Sequence, residues 1–304
     1  MNTTEANTRK GHIRKSKSDK IYDIIVYTII TILLILVLYP MYFVLIASFS
    51  DPTAVSAGEV VLWPKGFSAD GYKQLLQFKN IWIGYRNTIF YALFGTLCML
   101  AVNIPAGYAL SRADMYGRKF LKVLYIIPMF FGGGLIPTYL TVKSYGMLDT
   151  VWALILPSSI SIYYIIVARS FFTTSIPNEL WEAAQIDGVG NIGYFFRIVL
   201  PLSKAIIAVV ALWSAVGFWN SYFSAMIYIR NPDLKPLQLV MRSILIQSQT
   251  ASTMLTGTAA AEAMKMSELI KYASIIVSSL PVMCLYPFVQ KYFNKGVMIG
   301  SLKG

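Results

Sequence analysis

The sequence predicts an all-α fold, a polytopic membrane protein with six transmembrane helices and a helical loop on the cytoplasmic side. Six long stretches free of Asp, Glu, Lys and Arg recur along the 304 residues. Hydrophobic residues make up 56% and charged residues 13%, against about a quarter charged in soluble domains. The Lys and Arg residues sit at the ends of the apolar stretches rather than in one patch, which is how a membrane protein places them.

The stretches cover residues 24–49, 87–111, 123–142, 150–168, 205–229 and 272–290. A helix needs about 20 apolar residues to cross the hydrocarbon core. One such run could be a buried helix of a soluble protein; six could not. Pro40, Pro105, Pro128, Pro137, Pro157, Pro281 and Pro287 interrupt them. In a membrane bundle, neighbouring helices can satisfy the carbonyls that proline frees. Gly132, Gly133 and Gly134 follow Pro128, so the third stretch should bend or break there.

The flanks set the orientation. The tail 1–23 carries Arg9, Lys10, Arg14, Lys15, Lys17 and Lys20, and the second connection carries Arg112, Arg118, Lys119 and Lys122 against Asp114. The tail 294–304, with Lys291 just before it, adds Lys295 and Lys303 without an acid. Six alternating spans put these three segments on one side, and their charge makes it the cytoplasm. The first connection balances Lys65, Lys73 and Lys79 with Asp51, Glu59 and Asp70, which suits the outside. The fifth connection is long, of mixed charge and rich in small polar residues over 247–258. Both termini are therefore expected in the cytoplasm, with the lipid bilayer as a partner.

Several classes fall away. The net charge of +12 raises nucleic-acid binding, but the cations are dispersed along span ends, so no nucleic acid is expected. Cys98 and Cys284 lie in apolar runs without a CxxC partner or nearby His, and the single histidine, His12, lies in the basic tail; no metal site is expected. The run 24–49 is too long for a signal-peptide core and reads as a retained first helix. Residues 16–22 fit either a short interfacial helix or a disordered basic tail.

The most informative loop joins the fourth and fifth stretches, over 175–201. Pro177 suits the first turn of a helix, and Glu179 and Glu182 lie early, where the helix dipole favours anions. Ala183 and Ala184 keep one face slim. Gly188 permits a sharp reversal, and a second amphipathic limb reaches Leu200-Pro201. The expected result is a helix-turn-helix lying on the cytoplasmic face.

An ordinary linker would not keep this spacing. Glu182-Ala183-Ala184, Gly188, Ile198 and Leu200-Pro201 resemble the EAA loop of binding-protein-dependent ABC importers, whose pattern is EAA, three residues, Gly, nine residues, Ile-x-Leu-Pro. Phe218-Trp219-Asn220 resembles the sugar-importer branch. The segment from Pro281 through Tyr286-Pro287-Phe288 to Gly304 is similar to permeases for complex saccharides, and the layout resembles the maltose-type second permease subunit. The resemblance covers most of the chain and is weakest in the N-terminal tail, the first outer loop and 247–266.

That resemblance implies a permease subunit rather than an enzyme, working by alternating access. It implies a second permease subunit, cytoplasmic ATPase subunits and an extracellular solute-binding protein as partners, and a saccharide as substrate. Glu182, Ala183, Ala184, Asp187, Gly188, Leu200 and Pro201 would form the coupling loop that docks on the ATPase. ATP and magnesium would be held by that partner, with no cofactor in this chain; the triple glycine at 132–134 lacks the Gly-Lys-Ser/Thr ending of a phosphate-cradling loop.

Three rivals have their own signatures. A proton- or sodium-driven secondary transporter often carries ionisable groups in mid-membrane, and none of the six stretches holds Asp, Glu or His. A channel calls for polar pore rings or a filter loop, and a membrane enzyme for a nucleophile, base or metal set. For a saccharide path, Trp213, Trp219, Asn220 and Tyr222 lie close together on the fifth stretch and Asn103 on the second. Trp213 and Asn220 are two turns apart and share a face. Packing is the default role of any one such aromatic.

Overall fold

The computed structural model of the protein describes residues 16–254 and 257–301, and the described residues are helical with no strand among them. His12 and the basic residues before Ser16 lie outside the described residues, as do the last three residues. The chain divides into two compact units, residues 1–68 and 69–304.

In the first unit, α1 (Lys17–Ser48) starts at an N-cap on Ser16. The Ser16 hydroxyl accepts from the Ser18 amide at 3.1 Å, and the Ser16 amide donates to Asp19 at 2.9 Å, a reciprocal cap that satisfies otherwise orphan groups. Residues 16–22 are thus the first turns of one 32-residue helix, not a separate interfacial helix. Its apolar side chains are exposed along most of its length, which is stable only where the surroundings are themselves apolar. Pro40 is carried inside it. A short α2 (Pro52–Ser56) follows, capped by Asp51. Hydroxyls of Tyr39 and Tyr42 donate to the carbonyls of Val61 and Leu62, folding the rest of this unit back on α1.

The second unit begins with α3 (Asp70–Gln77) and the long α4 (Lys79–Ser111). The third apolar stretch is α5 (Arg118–Phe130) and α6 (Leu135–Ser144), which meet at 114°. Gly134, at φ +83°, starts α6, so the expected break falls at the triple glycine. The fourth stretch is not one helix. It consists of α7 (Trp152–Ile155) and α8 (Ile162–Ser175), separated by a turn at Pro157. Proline brings no amide donor to continue the helical ladder.

The loop that follows holds α9 (Asn178–Ile186), α10 (Asn191–Tyr194), a π-helical turn over Phe195–Val199 and α11 (Leu200–Leu202). The limb 191–202 then turns by 79° into α12 (Lys204–Trp219). The fifth stretch ends there: residues 220–222 break it before α13 (Phe223–Tyr228). The fifth connection is largely helical among the described residues, with α14 (Leu237–Met254) followed by α15 (Thr258–Ser301). α15 has 44 residues and runs through most of what was expected to be the C-terminal tail. At about 1.5 Å per residue it is about twice the thickness of the hydrocarbon core.

By length and composition, three helices could each cross a membrane, and up to five spans result if each bent pair counts as one. α4 is the axis of the second unit, packing on α8, α12 and α14. Gly107 allows the α4–α8 crossing: a Cβ there would lie 2.7 Å from the Ala168 Cβ and 3.0 Å from the Ile165 carbonyl oxygen. At the other end of α4, Asn87 donates to the carbonyls of Asp233 and Lys235 at 2.7 and 3.0 Å, and Tyr91 to that of Leu234 at 2.8 Å. These bonds fix the turn before α14.

Candidate functional site

The loop 175–201 is a helix-turn-helix, and its local geometry follows from its sequence. Pro177 precedes the first turn of α9. The turn at its end is a Schellman motif: Val189 N–H donates to the Ala184 carbonyl at 2.8 Å and Gly188 N–H to that of Gln185 at 3.0 Å. The motif needs a left-handed residue after the cap, and Gly188 has φ +72°. Asp187 is the C-cap. Pro201 lies in α11, and the Ser203 hydroxyl donates to the Val199 carbonyl at 2.7 Å at the bend into α12.

The loop presents two distinct faces. Ala184 is buried at 3% exposure, in one apolar cluster with Phe172, Tyr194, Phe195, Val199 and Ile206. Glu182, Ala183, Asp187 and Gly188 are exposed, as is Pro201, while Leu200 is partly buried against the same cluster. The short Ala184 side chain lets α9 lie close on the second limb, and the acidic positions are left outward.

The loop is also fastened to the end of α4. The Arg112 guanidinium lies 4.1 Å above the Trp181 ring and binds Asp114 through both carboxylate oxygens, at 2.9 and 2.6 Å. That hydrogen bonding holds the Asp114 carboxyl below the usual carboxylate range. Trp181 meets Tyr194 edge-on at 5.0 Å, and Tyr108 packs on Phe195 at 4.9 Å and Phe172 at 5.7 Å. Arg112 and Trp181 had not been expected as parts of the site. Arg112 reads in the sequence as an orientation charge, and a cation–aromatic contact between distant segments leaves no local pattern.

The five candidate pathway residues separate. Asn103 is fully buried, donating to the Met99 and Ser159 carbonyls at 2.6 and 2.8 Å and accepting from the Ser161 amide at 2.9 Å. It satisfies the backbone of the broken fourth stretch and acts there as a structural clamp. Trp213 stacks on Tyr164 at 5.8 Å, joining α12 to α8. Trp219 is 5% exposed and donates to the Ser278 carbonyl at 2.9 Å, joining α12 to α15. Asn220 is the exposed C-cap of α12, so the face expected to be shared with Trp213 ends at it.

Tyr222 lines a cavity. The cavity measures about 310 Å³ and is completed by Gln238, Arg242, Leu245, Ser274 and Ser278. Arg242 lies 5.5 Å from the Tyr222 ring and touches the Met226 sulfur. Among the described residues no carboxylate pairs with it. Gln238 and Arg242 lie on α14, in the connection whose conformation the sequence leaves open, and no local motif marks either.

Residues 81–299 match the family described as binding-protein-dependent transport system inner membrane component. The chain is 37% identical to Protein LplC of Bacillus subtilis (strain 168) over 96% of its own length and 98% of that protein. It is also 37% identical to the polygalacturonan/rhamnogalacturonan transport system permease protein YtcP of the same organism, over 94% and 99% of the two chains. A chain from the crystal structure of a bacterial ABC transporter involved in the import of the acidic polysaccharide alginate superposes with a TM-score of 0.82 at 31% identity, covering 92% of this chain and 99% of that one. The matched region takes in nearly all of the axis helix α4, the two-faced loop and almost all of the helices that follow it, and on these grounds the chain belongs to the family of binding-protein-dependent transport system inner membrane components, as a transport component rather than an enzyme.

Proposed function

We propose that this chain is one of two permease subunits of an ATP-driven, binding-protein-dependent importer of oligo- or polysaccharide, with six spans and both termini in the cytoplasm. The six spans are α1, α4, the bent pair α5–α6, the interrupted pair α7–α8, α12 and α15. One observation carries the mechanism: α9 is sealed inward through Ala184 and the Arg112–Trp181 contact, and turns Glu182 and Asp187 outward. A short rigid helix so placed suits docking in a groove of an ATPase subunit, where Glu182 would meet basic groups. Closure of the ATPases would then move the loop and the end of α4 together, a rigid-body shift of the bundle. ATP and magnesium belong to that partner.

The cavity at Tyr222 is our choice for part of the saccharide path. An aromatic face, hydroxyls and an amide suit a sugar ring, and Arg242, without a carboxylate partner among the described residues, suits a carboxylate on it. The polygalacturonan/rhamnogalacturonan permease and the alginate importer support an acidic saccharide.

Reconstitution with the second permease, the ATPase and the binding protein tests the proposal. Uptake should require ATP and the binding protein, and should persist when the proton gradient is collapsed. Transport by this chain alone, driven by an imposed ion gradient and indifferent to ATP, would overturn it. Arg242→Gln should raise KM for a uronate oligosaccharide about tenfold, the cost of one charge-assisted hydrogen bond, and leave a neutral one unaffected.

A further inference from the structure

A second, polar cavity of about 170 Å³ lies where α4 ends, α5 begins and α9 folds over α8. Tyr108, Arg112, Arg118, Thr173, Asn178 and Tyr194 are among its walls. Five buried side-chain polar atoms among the described residues lack a hydrogen-bond partner, and two belong to residues lining this cavity, Tyr108 Oη and Arg118 Nε. Tyr108 lies beside the Arg112 guanidinium without a well-formed bond to it. Arg169 is one helical turn before Thr173. Buried polar groups are normally satisfied, so two orphans on the walls of one cavity call for an acceptor there.

The charge is also uncompensated. Lys122, one turn from Arg118, lies within the fields of both Arg169 and Arg118. None of these three cations has an ion pair among the described residues. The acid nearest in sequence, Asp114, is already bound bidentately by Arg112. α5 itself starts at Arg118 without a side-chain cap, so the positive end of a 13-residue helix adds to the field. The missing acceptor is therefore an anion. A volume several times the ~30 Å³ of a water admits a phosphate group with some of its hydration.

The neighbouring surface points to the source of that group. α5 has no buried residue, and Phe120, Val123, Leu124 and Ile127 are exposed along it. Apolar side chains beginning beside a basic cavity fit acyl chains beginning beside a headgroup. We propose that this cavity binds a phosphate group at the membrane surface, that of an anionic phospholipid. Pro177, Asn178 and Trp181 of the loop also line it, so a bound headgroup would brace α9 against α4. The inference rests on the membrane assignment and is independent of which solute is carried.

The test uses the assembled transporter in phosphatidylcholine nanodiscs, titrated with phosphatidylglycerol and separately with inorganic phosphate, with bound species read by native mass spectrometry. Wild type should retain phosphatidylglycerol selectively over phosphatidylcholine. Arg118→Gln should lower that retention about tenfold, as loss of one charge-assisted contact implies. Tyr108→Phe, which removes one orphan hydroxyl and should not disturb folding, should lower it severalfold. Failure of excess inorganic phosphate to displace the lipid supports the headgroup as occupant. Displacement by inorganic phosphate, lost in Arg118→Gln, supports the same site with free phosphate in it. Equal retention of both lipids by wild type and both variants, with inorganic phosphate unbound, overturns the proposal. ATP-driven uptake by the same wild-type and variant transporters reconstituted in sealed liposomes separates this failure from failure of the importer reading.

Discussion

Gly188 is the residue at which backbone conformation and proposed function meet. Its φ of +72° closes the Schellman turn, and a Cβ there would meet open space. Any defect from substitution is therefore conformational, with no steric clash. A β-branched residue held in the left-handed region costs about 1–2 kcal/mol or more, enough to open the turn locally while the membrane core stays intact. Gly188→Val is expected to insert normally and to lose both transport and substrate-stimulated ATP hydrolysis; full retention of both would remove the coupling role given to α9.

Asp149 is a second residue with a defined consequence. It holds φ +59°, and its Oδ1 accepts from the amides of Arg230 and Asn231 at 2.8 and 2.7 Å. Its own amide donates to the Tyr228 carbonyl at 2.9 Å. The bonds from Asn231 and then Arg230 hold its carboxyl below the ordinary 3.8. The unfolded segment therefore binds the proton more readily than the folded one, and stability rises with pH. The contribution is complete above the unfolded value and disappears as pH falls through the folded one. Hydrogen exchange should show the Arg230 and Asn231 amides protected at neutral pH and progressively exposed through that acid window. Asp149→Ala should expose them at every pH.

At the scale of elements, the α4–α8 crossing is set by Gly107, and side chains at that point would separate the helices. Gly107→Val should lower the unfolding temperature in detergent, by the roughly 1–3 kcal/mol typical of overpacking. Gly217 is the contrast, because a Cβ there meets nothing within 4 Å. Gly217→Ala should be neutral or stabilising, by up to about 1 kcal/mol of helix propensity. A loss at Gly217 equal to that at Gly107 would show general intolerance of change and leave the crossing without special weight. The elements also show what a sequence hides. The break at the triple glycine and the turn at Gly188 were readable because glycine acts locally. The interruption at 156–161 was signalled only by Pro157, in a run still apolar enough to span. It is stable because Asn103, from another helix, satisfies its backbone. The small polar run over 247–258 leaves the conformation of the fifth connection open in the sequence; α14 is held by packing against α4 and α15.

At the scale of the whole molecule, orientation is the property open to direct test. A reporter active only in the cytoplasm, fused at Gly304, should give signal, and one at residue 66, in the first connection, should not. The reverse pattern, in an expressed fusion, would place α9 outside and remove the ATPase as its partner. The sequence by itself determined the class of the protein. Six charge-free runs, basic flanks and the Glu182–Pro201 spacing are one-dimensional properties, because bilayer thickness and turn geometry act on contiguous residues. The tertiary structure decided which faces and side chains are available. It turned Ala184 inward and Glu182 outward, committed Asn103 and Trp219 to helix contacts, and brought Tyr222 to Arg242 and Arg112 to Trp181. Those outcomes depend on which helices cross and where, and a crossing is fixed by close packing between segments far apart in the chain. No local pattern encodes it.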